Sequence, residues 1–107
     1  MSTRREKIEA MLADDPRDVF LRYSLAMELA KEGNHATSLR GLRELVDEDP
    51  PYVPAFFMAA QQLAEQRDFE SARAMLRRGI EAARAQNDAH AASEMSEFLA
   101  SLGPEGP

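Results

Sequence analysis

The chain has 107 residues, of which 44% are hydrophobic and 30% are charged, and its net charge is −6. This composition is typical of one folded domain and not of a disordered chain. Because binding to a phosphate backbone needs a basic surface, the acidic charge argues against nucleic acid as a partner. The chain contains no cysteine, so it has no disulfide, thiolate metal ligand or cysteine nucleophile.

No stretch of the sequence approaches the ~18 consecutive apolar residues that a membrane span requires. The basic N-terminal residues are followed by no apolar core of the length found in signal peptides. We therefore expect a cytoplasmic protein with no membrane partner.

Apolar residues recur at helical spacing, and proline, glycine or Asp-Pro interrupts this pattern at short intervals. Thr3 and Glu6 form a capping-box sequence at the start of the first helix. Asn34 and Asp88 are predicted to cap later helices. The six predicted helices span approximately residues 2–13, 18–31, 35–48, 53–66, 69–84 and 88–102.

The two ends of the chain differ from its middle. Arg4, Arg5 and Lys7 lie beside a narrow apolar stripe on the first helix, which suits an N-terminal cap. The last predicted helix suits a C-terminal cap, so the array looks finished. Residues 103–107, Gly-Pro-Glu-Gly-Pro, cannot continue a helix and are predicted to form a disordered tail.

The sequence repeats with a period of 34 residues and needs no insertion or deletion to align. Asp15-Pro16 recurs as Asp49-Pro50, and Tyr23 recurs as Phe57. Other apolar positions recur in the same way: Ile8, Leu42 and Leu76; Val19 and Val53; Ala26 and Ala60; Leu29 and Leu63. A fixed period of this length indicates helical units that bury their apolar faces by stacking on one another.

The repeated unit resembles the tetratricopeptide repeat (TPR), a 34-residue helix-turn-helix whose signature is W-x2-L-G-x2-Y, then A-x3-F, then a proline. The unit 53–86 matches it with Phe56-x2-Ala59-Ala60-x2-Leu63 and Ala72-x3-Leu76. The unit 19–52 matches it with Arg22-x2-Leu25-Ala26-x2-Leu29, Ser38-x3-Leu42 and Pro50. Arg22 replaces the signature aromatic, Arg67 the turn glycine and Arg84 the closing proline.

This resemblance implies an all-α fold of antiparallel helix-turn-helix repeats, stacked as a short right-handed superhelix of about six helices. Residues 1–102 then form a single domain. It consists of a half-unit cap helix (1–18), two full repeats (19–52 and 53–86) and a capping helix (87–102).

In TPR proteins the first helix of each unit lines the concave face, and this face binds peptides. Carried over to this chain, the resemblance assigns partner binding to Phe20, Tyr23, Ser24, Met27, Lys31, Phe57, Met58, Gln61 and Glu65, with Pro54 at the edge. Some members bind a chaperone's C-terminal carboxylate through lysine and asparagine. Tyr23, Met27 and Gln61 are among the residues at those positions here, so that chemistry is absent.

We expect a non-enzymatic interaction module that binds an apolar peptide or partner helix in the concave groove. The alternative is a homo-oligomeric assembly protein, for example a homodimer, that uses the same surface. Burial of Phe20, Tyr23 and Phe57 in the core is a competing interpretation. Joint exposure of these side chains would favour binding.

Three other sets of residues are candidate sites. The acidic groups near residues 14–18 and 47–49 could attract a cation or a basic partner, but they lack calcium-loop spacing and are expected to be a solvated edge. Arg73, Arg77 and Arg84 could bind an acidic ligand, but Glu70 and Glu81 predict a salt-bridged outer face. His35 and His90 are far apart, so no metal, cofactor or catalytic residue is expected.

Overall fold

The computed structural model describes residues 3–103. Six α-helices and no strands are found in this part of the chain. In chain order the helices are α1 (Arg4–Asp14), α2 (Val19–Lys31), α3 (His35–Val46), α4 (Val53–Glu65), α5 (Phe69–Ala85) and α6 (Ala89–Ser101). The first and last residues of each helix agree with the bounds predicted from the sequence to within about two residues. The predicted tail lies outside the described residues, except for Gly103.

Each helix packs on the helices that precede and follow it in the sequence, and α4 also touches α6. The helices therefore form an antiparallel stack of helix-turn-helix units, and the molecule measures 48 × 30 × 19 Å. Such an elongated array is the structure that a 34-residue repeat predicts. No helix of residues 3–103 is both long and apolar enough to span a membrane.

Side-chain caps begin four of the six helices. Thr3 and Glu6 form the predicted reciprocal capping box, in which the Thr3 hydroxyl accepts from the Glu6 amide and the Glu6 carboxylate accepts from the Thr3 amide. These hydrogen bonds, that from the Thr3 amide first, lower the pKa of Glu6. Asp18, Asp68 and Asp88 cap α2, α5 and α6. Asn34 is the first residue before α3, but, contrary to the sequence prediction, its side chain makes no capping hydrogen bond.

The turns between the two helices of each unit have the same geometry. Gly33 has a φ of +85° and Arg67 a φ of +65°, so both take the left-handed conformation that ends a helix. The following amides donate to the carbonyl oxygens of Leu29 and Leu63, respectively. Replacement of the turn glycine by Arg67 therefore leaves the turn unchanged, although an arginine is less favourable there than glycine.

The core follows the middle of the stack, and α4 and α5 contribute most of it. Its fully buried members include Phe56, Leu42, Leu45, Leu76 and Met95. By contrast, α1 contributes a single buried residue, Ile8. The apolar core therefore becomes thin toward the N-terminal end of the stack.

Candidate functional site

A cleft of about 350 Å³ lies where α2, α4 and α6 meet, and we call it the central cleft. Tyr23 of α2, Phe57 of α4 and Ala91 of α6 line it and lie one period apart in the sequence. The remaining lining residues are Val53, Pro54, Asp88, His90, Glu94 and Met95. The stacking of equivalent first helices thus brings together Tyr23 and Phe57, two of the predicted binding residues.

The aromatic side chains of the central cleft are half-buried. The Tyr23 ring lies 5.5 Å from the Tyr52 ring, and the Phe57 ring lies 5.3 Å from the Phe98 ring, measured between centroids. Burial, followed by the neighbouring Tyr52, raises the pKa of Tyr23. These contacts hold the rings in place while part of each ring still faces the cleft, so packing and exposure coexist at these residues.

Phe20 and Ser24 lie in a different cleft, between α1 and α2. Phe20 is 64% exposed. The Ser24 hydroxyl donates to the Phe20 carbonyl oxygen at 2.9 Å, so this hydroxyl is engaged within its own helix. The structure therefore separates Phe20 and Ser24 from Tyr23 and Phe57.

The other predicted binding residues do not line the central cleft. Met27, Met58 and Gln61 are half-buried on α2 and α4, whereas Lys31 and Glu65 are exposed at the ends of those helices. Lys31 Nζ lies 3.7 Å from a carboxylate oxygen of Glu28, one turn earlier in α2.

Helix α6 and its cap residue Asp88 supply cleft residues that are not among the binding residues predicted from the sequence. Asp88, His90 and Glu94 place polar groups at the rim, and Met95 is buried behind them. His90 Nε2 lies 3.4 Å from Glu94 Oε1. The repeat itself contained the signal, because Ala91 and Met95 follow Phe57 and Gln61 by one period, which makes α6 the first helix of a third unit.

The rim of the central cleft is acidic and continues into a second cleft of about 380 Å³. The two clefts share Val53, Pro54 and Asp88, and the second adds the carboxylates of Glu48 and Asp49. Tyr52 also lines the second cleft, and burial, followed by the charge of Asp18, raises its pKa. Neither lysine nor arginine is among the described residues that line these two clefts.

Two carboxylates of the acidic group at residues 47–49 form ion pairs within the protein. Asp47 pairs with Arg78 at 3.1 Å, and Glu48 with Arg22 at 3.6 Å. The prediction of a salt-bridged outer face is wrong for Arg73. This residue is buried, and its Nε has no hydrogen-bond partner. Within residues 3–103 no group of three or more His, Asp or Glu side chains could hold a metal ion.

Two solved structures are similar to this chain. A solution structure of a tetratricopeptide repeat domain protein from Salinibacter ruber has a TM-score of 0.79 and 28% identity, over 85% of this chain and 92% of that chain. A solution structure of a protein from Bordetella parapertussis also has a TM-score of 0.79, with 31% identity over 95% of this chain and 89% of that chain. No protein-family model and no curated protein matches the chain.

The fold and the arrangement of its clefts define a helical-repeat protein built from helix-turn-helix units. The comparisons agree with the 34-residue repeat of the sequence, and the chain is a TPR-like repeat protein. Its TPR-domain neighbour suggests a protein–protein interaction module.

Proposed function

We propose that the protein is a non-enzymatic interaction module that binds an apolar segment of a partner protein in the central cleft. The observation that carries this proposal is the convergence of Tyr23, Phe57 and Ala91, from three successive units, on one open cleft. Partly exposed aromatic side chains in a concave site supply contact area at a small cost in side-chain entropy. Met27, Met58 and Gln61 would extend this contact along α2 and α4.

The charge of the rim favours a partner segment that carries a lysine or arginine next to its apolar residue. Asp88 and Glu94 border the central cleft, and the cleft that continues from it is bordered by Asp49 and by Glu48, which also pairs with Arg22. A cationic side chain placed there would meet several carboxylates and no lysine or arginine among the described lining residues. Charge complementarity of this kind directs orientation and accelerates association.

A homo-oligomer through the same surface is the alternative use of the central cleft. Two acidic rims would then face each other, and like charges at an interface are unfavourable. The rim charge therefore favours a basic partner over a second copy of this chain.

Charge reversal at the rim tests the proposal without removing a packed aromatic ring. Glu94 is exposed, so Glu94→Lys is expected to leave the fold intact and to weaken binding of the partner by about fivefold or more. Glu81→Lys, an equal charge change at an exposed position on α5, is the matched control. Partners captured from lysate by the wild-type protein are identified by mass spectrometry, and their affinities for both variants are then measured.

The proposal predicts a partner that Glu94→Lys loses and Glu81→Lys retains, with circular dichroism unchanged in both variants. Tyr23→Ala is expected to weaken the same interaction through loss of apolar contact. Retention of every partner by both Glu94→Lys and Tyr23→Ala would contradict it. A molecular mass that doubles with concentration in the wild type alone would favour the homo-oligomer.

A further inference from the structure

The cleft between α1 and α2 that contains Phe20 and Ser24 has a volume of about 210 Å³ and presents the most exposed large hydrophobic side chains of residues 3–103. We call it the N-terminal cleft, and it is lined by Arg4, Lys7, Ile8, Met11, Phe20, Leu21 and Ser24. Among residues 3–103 the large exposed hydrophobic side chains are Met11, at 49%, and Phe20, at 64%. Both line this cleft, so the exposed apolar surface is concentrated at one end of the stack.

The repeat shows why Met11 is exposed. The equivalent position is Leu45 in α3, which is 0% exposed, and Gly79 in α5, which is also buried. Helices α3 and α5 each pack against the first helix of their own unit, α2 and α4. Helix α1 occupies the place of a second helix, but no first helix precedes it among the described residues. Met11 lies on the equivalent side of α1, and its 49% exposure shows that this side is open in the structure of residues 3–103.

The opposite end of the stack is built differently. Helix α6 is a first helix without a second helix after it in the described part of the chain. The positions equivalent to Phe56, Ala59, Ala60 and Leu63, all buried in α4, are His90, Ser93, Glu94 and Glu97 in α6, and these are exposed. Polar residues thus face the solvent at this end, whereas apolar residues face it at the N-terminal end.

Charge indicates what could cover the N-terminal cleft. Arg4 and Lys7 lie at this cleft in a chain whose net charge is −6. Arg4 also pairs with Glu28, but within residues 3–103 no ion pair engages the Lys7 ammonium group. Pairing of two N-terminal clefts would bring like charges together. Packing of α6 from a second copy would place polar residues on Met11, so neither arrangement suits the cleft.

We propose that an amphipathic helix of a partner protein binds the N-terminal cleft and takes the place of the first helix of the α1 unit. Its apolar stripe covers Met11 and Phe20, and acidic residues beside that stripe meet Arg4 and Lys7. This site is separate from the central cleft, and the proposal does not depend on the function proposed for that cleft.

Two synthetic peptides that differ only in charge test this proposal. Each copies residues 53–66, the first helix of the second full unit, because this sequence already packs on a second helix in the fold. One peptide carries Gln62→Glu and Ala64→Glu beside the apolar stripe, and the other carries Gln62→Lys and Ala64→Lys. Binding to the whole protein is followed by amide chemical shifts in nuclear magnetic resonance.

The acidic peptide is expected to shift the amide signals around Met11 and Phe20 and to bind about tenfold more tightly than the basic peptide. Lys7→Glu should remove most of this preference, whereas Arg84→Glu, a charge reversal at an exposed position on α5, should preserve it. Met11→Glu, at an exposed position, should leave the fold intact and weaken binding of the acidic peptide.

Any one of four results would overturn the proposal. One is equal binding of the two peptides, and another is a set of shifts confined to residues of the central cleft. The third is an affinity of the acidic peptide that neither Lys7→Glu nor Met11→Glu changes. Self-association of the wild-type protein that Met11→Glu abolishes would also overturn it, because a second copy would then be the occupant.

Discussion

At the scale of single residues, Phe56 and Gly79 show how two facing positions share the available volume. A Cβ atom at Gly79 would lie 2.6 Å from Phe56 Cβ and 2.5 Å from Met95 Sδ, so a side chain there would require these neighbours to move. In the first unit the same two positions hold Arg22 and Leu45. Arg22 extends toward Glu48, and Leu45 fills the interior. The interior is thus filled by Phe56 opposite Gly79 in the second unit. In the first unit it is filled by Leu45, and Arg22 takes the position of the aromatic residue.

Alanine substitution of two helical glycines is expected to change stability in opposite directions. Gly79→Ala should lower the free energy of unfolding by about 1–3 kcal/mol, because Phe56 and Met95 must move. Gly41→Ala should raise it by about 0.5–1 kcal/mol, because alanine favours a helix and the new Cβ would lie 3.9 Å from Ala26 Cβ, an ordinary contact. Urea denaturation of the two variants measures both effects. An increase in stability for Gly79→Ala would contradict this account of the packing.

At the scale of helices, a buried polar chain connects α2, α3 and α4. The Ser38 hydroxyl donates to the carbonyl oxygen of Ala26, and Gln62 Nε2 donates to Ser38 Oγ at 2.9 Å. Both side chains are buried, so their hydrogen bonds replace those lost to water. Gln62 comes from the second full unit and Ser38 from the first, so this contact fixes one unit against the next.

Removal of the Ser38 hydroxyl should destabilise the protein more than an exposed substitution would. Ser38→Ala leaves Gln62 Nε2 buried without this partner, and Gln62 Oε1 already has none, so we expect a loss of about 1–3 kcal/mol. Ser93→Ala, at an exposed position in α6, is the control and should change stability by less than about 0.5 kcal/mol. The comparison requires thermal and urea unfolding of both variants, and equal stabilities would show that the Ser38 hydrogen bonds contribute nothing.

The sequence was sufficient to predict the helices but not all of their side-chain contacts. Apolar spacing and Asp-Pro or glycine boundaries are local properties, so helix positions and the antiparallel stack could be predicted. The burial of Gln62 and Arg73 depends on which neighbour each side chain meets, and periodicity contains no such information. The role of α6 could have been predicted, because Ala91 follows Phe57 by one period, but its polar residues suggested a cap alone.

At the scale of the whole molecule, stability is expected to decrease from the centre of the stack toward α1. In a helical-repeat array each unit is stabilised mainly by its neighbours. Helix α1 has α2 as its neighbour and buries one apolar side chain, Ile8. It is also held by ion pairs: the exposed Arg4 meets the buried Glu28, and Arg5 Nε meets the exposed Glu32 at 2.9 Å. Exposed ion pairs contribute little and are screened by salt.

We therefore predict that α1 opens locally before the rest of the protein unfolds. In native-state hydrogen exchange, the amides of α1 should exchange faster than those of α4 and α5, and added salt should widen this difference. Ile8→Ala should cost α1 about 2 kcal/mol of local stability, roughly a thirtyfold increase in opening, and leave protection in α4 and α5 nearly unchanged. Leu76→Ala, in the middle of the core, should instead lower protection in every helix. If Ile8→Ala reduced protection equally in α1 and α5, the molecule would unfold as one cooperative unit, and α1 would not be an independently opening end.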